Sequence, residues 1–132
     1  MLDPRAPRRP AGLGTGVLWV FFGLRGRVGR QVYWLSFLLL IALNSVMVSQ
    51  IFGGPDASMS RFAETAFPLV ALVTMYANIA GTTKRLHDMG MNGLFSLALL
   101  IPLVNIGVTI WAGIVPGNPG PNRYGKTADA PA

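Results

Sequence analysis

Three long stretches of the chain contain no charged residue. They cover residues 32–52, 65–83 and 94–115, and each is rich in leucine, isoleucine and valine. At about 1.5 Å of rise per residue, helices of these lengths would be about 28–33 Å long. The hydrocarbon core of a bilayer is roughly 30 Å thick. A single segment inside it satisfies its own backbone amides only as a helix. The pattern therefore predicts three transmembrane helices.

Composition separates this interpretation from its main alternative, a soluble domain with three buried core helices. The chain is 52% hydrophobic and only 12% charged, whereas soluble domains carry about 25% charged residues. The residues outside the three stretches can hardly supply a polar exterior. The absence of cysteine also excludes a disulfide framework, a thiolate metal site and a thiol nucleophile. We therefore expect an all-α integral membrane protein.

Residues near the ends of the stretches fit membrane interfaces. Tyr33 and Trp34 begin the first stretch and Trp111 lies near the end of the third, as in the aromatic belts of membrane proteins. Asn92 is a predicted N-cap for the third helix. Pro102 falls in the middle of that helix and is expected to kink it.

The flanking regions differ from the spans in composition. Residues 1–12 are rich in proline, arginine and alanine, which predicts a disordered tail, and residues 127–132 are expected to be a second one. Residues 13–24 are apolar but too short to cross a bilayer, which favours a short interfacial helix. A signal peptide is the alternative, although no small-x-small cleavage site follows. Residues 13–126 are then a single membrane domain.

The basic residues predict the orientation. With three spans and a cytoplasmic N-terminus, eight of the eleven basic residues face the cytoplasm, as the positive-inside rule prefers. A multi-pass protein of the cell inner (plasma) membrane follows, with the lipid bilayer as its first partner. The net charge of +6 does not indicate nucleic-acid binding, because no recognition motif or aromatic platform accompanies it.

Three polar motifs stand at the water-facing ends of the spans. One precedes the first span, one follows the second and one follows the third; they read Gly26-Arg27-Val28-Gly29-Arg30-Gln31-Val32-Tyr33-Trp34, Lys84-Arg85-Leu86-His87-Asp88-Met89-Gly90 and Gly120-Pro121-Asn122-Arg123-Tyr124-Gly125. Their order and spacing resemble the bacterial inner-membrane family known as domain of unknown function 805 (DUF805). The resemblance covers roughly residues 17–126 and implies a compact multi-helix membrane protein whose molecular function is unassigned. Leu24, Asn92 and Leu94 depart from the family's usual residues.

The Arg85-Leu86-His87-Asp88 loop is the candidate for chemistry. Asp88 could fix the tautomer of His87, and Arg85 could bind an anion or a lipid phosphate. Adjacent residues do not share a helix face, so a direct His87–Asp88 hydrogen bond needs non-helical backbone. The structural alternative is that Lys84 and Arg85 anchor the helix C-terminus and its dipole. With a single histidine and no cysteine, no metal site is predicted, and no cofactor is implied.

A pair of arginines precedes the first span. Arg27 and Arg30 lie one helical turn apart, where we expect them to orient the chain and to reach the membrane interface with their long side chains. The alternative is that one of them pairs with Asp88 and locks the helix bundle. Together with the loop they form a candidate site for an anion or lipid headgroup, whose full set is Arg27, Arg30, Arg85, His87, Asp88, Asn122 and Arg123. Three full spans would separate Asn122 and Arg123 from the rest. A re-entrant third segment, broken at Pro102, would bring all of them to the cytoplasmic side.

Uncharged polar residues lie within the spans, namely Asn44, Ser45, Ser49, Asn78 and Asn105. They are typical of hydrogen bonds between packed helices, or they could line a path through a small oligomer. We expect a non-enzymatic accessory or assembly protein, with a second copy or other membrane proteins as partners. The alternatives are a small oligomeric channel or transporter, a protein that binds lipid headgroups through the loop, and a lipid-headgroup enzyme that uses His87 and Asp88.

Overall fold

The computed structural model of the protein describes residues 13–53 and 56–132. The expectation of a disordered tail over residues 1–12 therefore lies outside the described residues. The regular secondary structure of the described part is helical, with two isolated β-bridges in its loops, which confirms the predicted all-α class. Its elements are α1 (Leu13–Phe22), α2 (Arg30–Gly53), α3 (Ala57–Asp88), a 3₁₀ segment (Gly93–Leu100) and α4 (Pro102–Ile114).

Helices α2 and α3 form an antiparallel pair that is the main packing unit. Both are long and apolar enough to cross a membrane, with mean hydropathies of 2.0 and 1.3 over their most apolar windows. Polar contacts join them along their length, from Tyr33 Oη and Thr82 Oγ1 at 3.4 Å to Ser60 Oγ, which donates to the Gln50 carbonyl at 2.7 Å. With 32 residues, α3 is about 48 Å long, so it extends well beyond the predicted span over 65–83.

The third hydrophobic segment differs from the sequence prediction. A continuous helix over 94–115 does not form, because the segment breaks between the 3₁₀ segment and α4. Pro102 explains the break: it has no N–H to donate, and its ring clashes with the carbonyl four residues earlier in a helix. Here it begins α4 instead, after an extended Ile101. The Asn105 side chain donates to the Leu99 carbonyl at 2.8 Å and satisfies an acceptor at the break.

Both ends of this broken segment lie against the same end of α3. Near its start, Ser96 Oγ and Thr83 Oγ1 are 2.8 Å apart. Near its end, the Ala112 carbonyl accepts from Arg85 Nε at 2.8 Å. A straight span would separate its two ends by roughly the 30 Å of a bilayer core. The segment is therefore a hairpin, here called the broken hairpin (residues 93–114).

The first and the last described segments both contact the rest of the fold. The predicted N-terminal helix forms as α1 and packs on α3, where Tyr76 Oη donates to the Phe22 carbonyl at 3.0 Å. Composition predicts a disordered tail over residues 127–132, and in the structure two backbone positions of this tail are hydrogen-bonded. The Asp129 amide donates to the Arg27 carbonyl at 2.8 Å, and the Gly29 amide donates to Asp129 Oδ1 at 2.7 Å. These bonds attach the tail to the segment before α2.

We expect Asn105→Leu to loosen the broken hairpin. The change removes the bond to the Leu99 carbonyl and another that Asn105 Oδ1 accepts from Thr109, and a buried carbonyl left without a donor costs about 1–3 kcal/mol. The thermal unfolding midpoint of the purified protein in detergent should fall. Ile106→Leu, at the neighbouring exposed position, is the matched control. Equal midpoints for the two variants would contradict the role of Asn105.

Candidate functional site

Four charged residues of the first two motifs are buried together at one end of the bundle. The exposed fractions of Arg27, Lys84, Arg85 and Asp88 are 1%, 0%, 0% and 4%. A buried charge is costly unless it is paired and hydrogen-bonded. The stability of this cluster therefore depends on the ion pairs and hydrogen bonds that each of the four side chains makes.

Asp88 holds two arginines. Its Oδ1 lies 2.9 Å from Arg27 Nη2 and accepts from Arg27 Nε at 3.0 Å. Its Oδ2 accepts from Arg85 Nη1 at 2.5 Å. The structure therefore contains the pair that the sequence offered as an alternative for one of the two arginines, and the arginine that pairs is Arg27. Arg30 is exposed and donates instead to the Ile114 carbonyl at 3.4 Å.

Arg27 also organises the C-terminal motif. Its Nη1 donates to the carbonyls of Gly120 at 2.7 Å and Gly125 at 3.2 Å, and its Nη2 donates to the Asn118 carbonyl at 2.6 Å. These acceptors surround the turn formed by residues 120–125. The guanidinium therefore joins the motif before α2 to the motif after α4, and Asp88 joins both to α3.

Arg85 closes the end of α4. Its Nε donates to the Ala112 carbonyl at 2.8 Å, and its Nη2 donates to the Val115 carbonyl. Nη1 adds a longer bond of 3.4 Å to the Val28 carbonyl. The last carbonyls of a helix have no partner within the helix and carry the negative end of its dipole. The Arg85 guanidinium donates to these carbonyls and places a positive charge at the negative end of the dipole.

Lys84 has the same role at the end of α1. Its Nζ donates to the carbonyls of Trp19 and Val20 at 2.7 Å and of Gly23 at 2.5 Å, and lies 5.1 Å from the Trp19 ring centroid. The sequence interpretation assigns Lys84 and Arg85 to the C-terminus of their own helix. That assignment is wrong, because each side chain reaches the C-terminus of a neighbouring helix.

The C-terminus of α3 itself ends in a glycine turn assisted by the third motif. Gly90 has a φ of 75°, a left-handed conformation that glycine adopts readily, and its amide donates to the His87 carbonyl at 3.0 Å. Asn122 Nδ2 donates to the same carbonyl at 2.9 Å. The Asn118 amide donates to the Asp88 carbonyl at 2.7 Å. All three motifs thus meet at the end of α3.

His87 does not contact the carboxylate of Asp88. Its Nδ1 lies 3.2 Å from the Gly26 carbonyl, and its ring is stacked on Tyr124 with centroids 3.9 Å apart and an interplanar angle of 7°. The Arg123 guanidinium lies over the same tyrosine, 4.7 Å from its centroid. The His87–Asp88 arrangement that catalysis would need is therefore replaced by an aromatic stack.

Burial lowers the pKa of two groups near the C-terminus of α3. Both lie outside the charge-free stretch over 65–83. Burial lowers the pKa of Lys84 to about 8, so the ammonium is still the main form at neutral pH and keeps three protons for its three acceptors. Burial also lowers the pKa of His87, against the opposing effect of its bond to the Gly26 backbone. A neutral imidazole with the proton on Nδ1 fits that bond.

The seven residues of the candidate anion site therefore differ in their burial and in their hydrogen-bond partners. Arg27, Arg85 and Asp88 are buried and bonded to one another and to backbone carbonyls. Asn122 bonds the end of α3, and His87 stacks on Tyr124. Of the seven, Arg30 and Arg123 are exposed. Within the described ranges every buried side-chain nitrogen or oxygen has a hydrogen-bond partner, and no three histidine or acidic residues there could hold a metal ion.

The candidate set taken from the sequence does not include Gly117 or Tyr124, although Tyr124 lies in the third motif. A Cβ at Gly117 would overlap Asp88 Oδ2, so the chain can pass the buried carboxylate only with a glycine at this position. The signal was present as a Gly113–Gly117 spacing, which suggests a contact between helices. The structure assigns the two glycines other neighbours, since Gly113 lies against the Trp34 ring.

A second cluster of polar side chains lies between the long helices. Asn44, Asn78 and Asn105 all line one groove of about 600 Å³ between α2, α3 and α4. Asn44 Nδ2 donates to the Leu40 carbonyl at 2.7 Å and to Thr74 Oγ1 at 3.1 Å. Asn44 and Asn105 are therefore bonded within the chain, as packing residues are, although all three asparagines share one face.

We expect Asp88→Asn to destabilise the protein strongly. The variant keeps the shape of the side chain but leaves Arg27 and Arg85 buried without a counter-charge, and breaking a buried pair costs about 3–5 kcal/mol. The abundance of the protein in membranes and its thermal midpoint should both fall. Asp129→Asn, at an exposed carboxylate, should change little. A charge swap with Arg27 offers no rescue, because a carboxylate at position 27 would face three carbonyl oxygens.

Two glycines of the C-terminal segment give a matched pair of variants. Gly117→Ala should displace Asp88 and lower the thermal midpoint about as much as Asp88→Asn. Gly120→Ala should leave the midpoint unchanged, because no atom lies within 4 Å of a Cβ built there. A Gly117→Ala protein as stable as Gly120→Ala would show that the carboxylate does not lie against this backbone.

Comparison with known proteins places the chain in a family. The chain is 28% identical over 111 residues to the inner membrane protein YhaH of Escherichia coli K12, a match that covers 83% of this chain and 89% of YhaH. It is 27% identical over 133 aligned positions to the uncharacterized protein YiiR of the same strain, covering 82% and 86% of the two chains. No solved structure matches. The family model for DUF805, proteins of unknown function, matches residues 21–126. The chain therefore belongs to the DUF805 family.

Proposed function

We propose that the chain is an integral protein of the bacterial inner membrane in which α2 and α3 span the bilayer. The broken hairpin enters and leaves the membrane from the cytoplasmic side. The hydropathy of α2 and α3 supports the two spans, and the name of the relative YhaH supports the membrane. Charge supports the orientation, because ten of the eleven basic residues then lie on the cytoplasmic side and only Arg61 lies opposite.

Its function, in this proposal, is that of a non-enzymatic accessory or assembly protein. The observation that carries the proposal is the internal use of the buried motif charges. Arg27, Arg85 and Asp88 are paired with one another and with backbone carbonyls. An enzyme or anion-binding site would instead aim such groups at a cavity open to its ligand. Motifs whose charges bond internally stabilise the fold of a membrane domain. The outer faces of that domain are then available for contact with other proteins.

A polar pathway through an oligomer is the second candidate. The observation in its favour is that Asn44, Asn78 and Asn105 line one groove rather than scattering among separate contacts. No Asp, Glu, Lys, Arg or His lies in the three charge-free stretches of the sequence, and such residues usually mark ion and proton paths in membranes. Flux of a small neutral solute into vesicles that contain the purified protein would favour this candidate over the first.

The side of the C-terminus tests the proposed arrangement. A reporter active in the cytoplasm and one active in the periplasm are fused in turn after Ala132 and, as the control, after Asp56 between the two spans. We expect the Ala132 fusions to report the cytoplasm and the Asp56 fusions to report the periplasm. A periplasmic Ala132 would mean that the third segment crosses the bilayer, and the proposed arrangement would be wrong.

The state of the protein in its own membrane tests the accessory function. Membranes with the chain at its natural abundance are dissolved in a mild detergent and separated by native electrophoresis. We expect the chain to migrate in an assembly larger than the monomer. His87→Gln should not change this migration, because the proposed function makes no use of the imidazole in chemistry. A chain that migrates only as a monomer would contradict an assembly role.

A further inference from the structure

The groove lined by Asn44, Asn78 and Asn105 lies at a depth where hydrogen bonds are scarce. Asn78 is ten residues before the end of α3, about 15 Å along the helix axis from Asp88. In the proposed arrangement this places its amide inside the hydrocarbon core. Within the described part of the chain, neither Asn78 nor Ser45 on the facing helix has a hydrogen-bond partner. Both groups face the groove, which is open at its side.

The occupant of the groove must bring hydrogen-bonding groups of its own. Lipid tails have none, and a polar group without a partner is costly in hydrocarbon. Helices in membranes satisfy such groups with serine, threonine and asparagine side chains of a neighbouring helix. The apolar window of α2 also has no buried residue within the chain. A further helix at the groove could therefore pack closely on α2 and donate to Asn78.

We propose that the face of α2 and α3 that bears this groove is the dimer interface of this protein, and that it packs against the same face of a second copy. In two copies inserted with the same orientation, each Ser45 and each Asn78 lies at the same depth in the membrane as its counterpart. An unrelated helix has no such matching polar residues built in. An amide contains a donor and an acceptor, so Asn78 can pair with its own counterpart across a two-fold axis. The groove is lined by no charged residue, so the copies do not repel each other there.

This inference rests on the proposed function, because it names the partner through which the membrane domain assembles. It also assigns a role to Asn78, whose amide has no partner among the residues that the structure describes. Asn44 and Asn105 border the groove with amides that are already bonded to Thr74 and Thr109. They fix the walls of the groove, and Asn78 makes the contact between copies.

Cysteine cross-linking in native membranes tests the interface, since the chain has no cysteine of its own. Ser45→Cys puts a single thiol in the groove, and Leu43→Cys puts one at nearly the same depth on the opposite side of α2. Under mild oxidation we expect Ser45→Cys to form a disulfide-linked dimer and Leu43→Cys to stay monomeric. Met75→Cys in the groove and Leu72→Cys outside it repeat the comparison on α3 in case a variant of α2 does not accumulate.

Loss of the amide should weaken the dimer. In the Ser45→Cys background, Asn78→Leu removes the proposed contact between copies, and an interhelical hydrogen bond of usual strength corresponds to an association constant about threefold to thirtyfold lower. The cross-linked fraction should fall by a similar factor when the protein is dilute in the membrane. Leu72→Ala, at an exposed position outside the groove, should leave that fraction unchanged.

Three results would overturn the inference. Equal cross-linking of Ser45→Cys and Leu43→Cys would mean random collision. A Ser45→Cys thiol that forms no dimer would exclude the two-fold interface, and a chain that still migrates in a larger native assembly would then leave the accessory function standing with a different partner. An unchanged cross-linked fraction in Asn78→Leu would remove Asn78 from the interface.

Discussion

A single carboxylate between two buried arginines determines how this domain closes. Asp88 contacts Arg27 from the segment before α2 and Arg85 from its own helix, and both arginines hold the chain that follows α4. Removing two charges from water costs several kcal/mol per ion unless the geometry satisfies them fully. The cluster is therefore stable only when the N-terminal segment, the end of α3 and the C-terminal segment are all in place.

The excess of positive charge in the cluster is balanced by backbone. Among the described residues, Asp88 is the one buried acid beside Lys84, Arg85 and Arg27. Each of these three cations donates to three backbone carbonyls. Many of these carbonyls belong to the ends of α1 and α4, where acceptors have no helical donor and the helix dipole is negative. The lysine and arginine of the second motif thus fix two short helices that are too short to be stable alone. This role explains why Lys84 and Arg85 are both basic and both buried, and the explanation requires no ligand.

The sequence predicts the structure best where one type of residue has one dominant physical effect. The absence of charge over 32–52 and 65–83 predicts helices that the structure contains. The single acid of the second motif makes Asp88 the candidate partner of an arginine but leaves Arg27 and Arg30 both open. At Pro102 the sequence leaves open a kinked full span and a re-entrant break, because the direction of the chain after a proline depends on tertiary contacts such as that of Arg85 with Ala112. The same holds for the tail, where Asp129 is ordered by a partner 100 residues away.

Gly117 shows a further limit of sequence reasoning. Its spacing from Gly113 suggests close helix packing, but the structural constraint on it is the position of the Asp88 carboxylate. A clash of this kind depends on three separate segments meeting at one point. Pattern and propensity describe one segment at a time. The sequence places the candidate residues in the three motifs, whereas the backbone carbonyls to which their charges bond became visible only from the contacts.

The meeting of the three motifs on one side of the membrane is the central claim, and a distance between spin labels tests it most directly. Labels are placed on single cysteines introduced at the exposed Leu24 and Lys126, and the distance is measured by pulsed electron paramagnetic resonance in lipid bilayers. Our account predicts a narrow distribution well below the roughly 30 Å thickness of the hydrocarbon core. A distribution centred above that thickness would place the two segments on opposite sides and contradict the account.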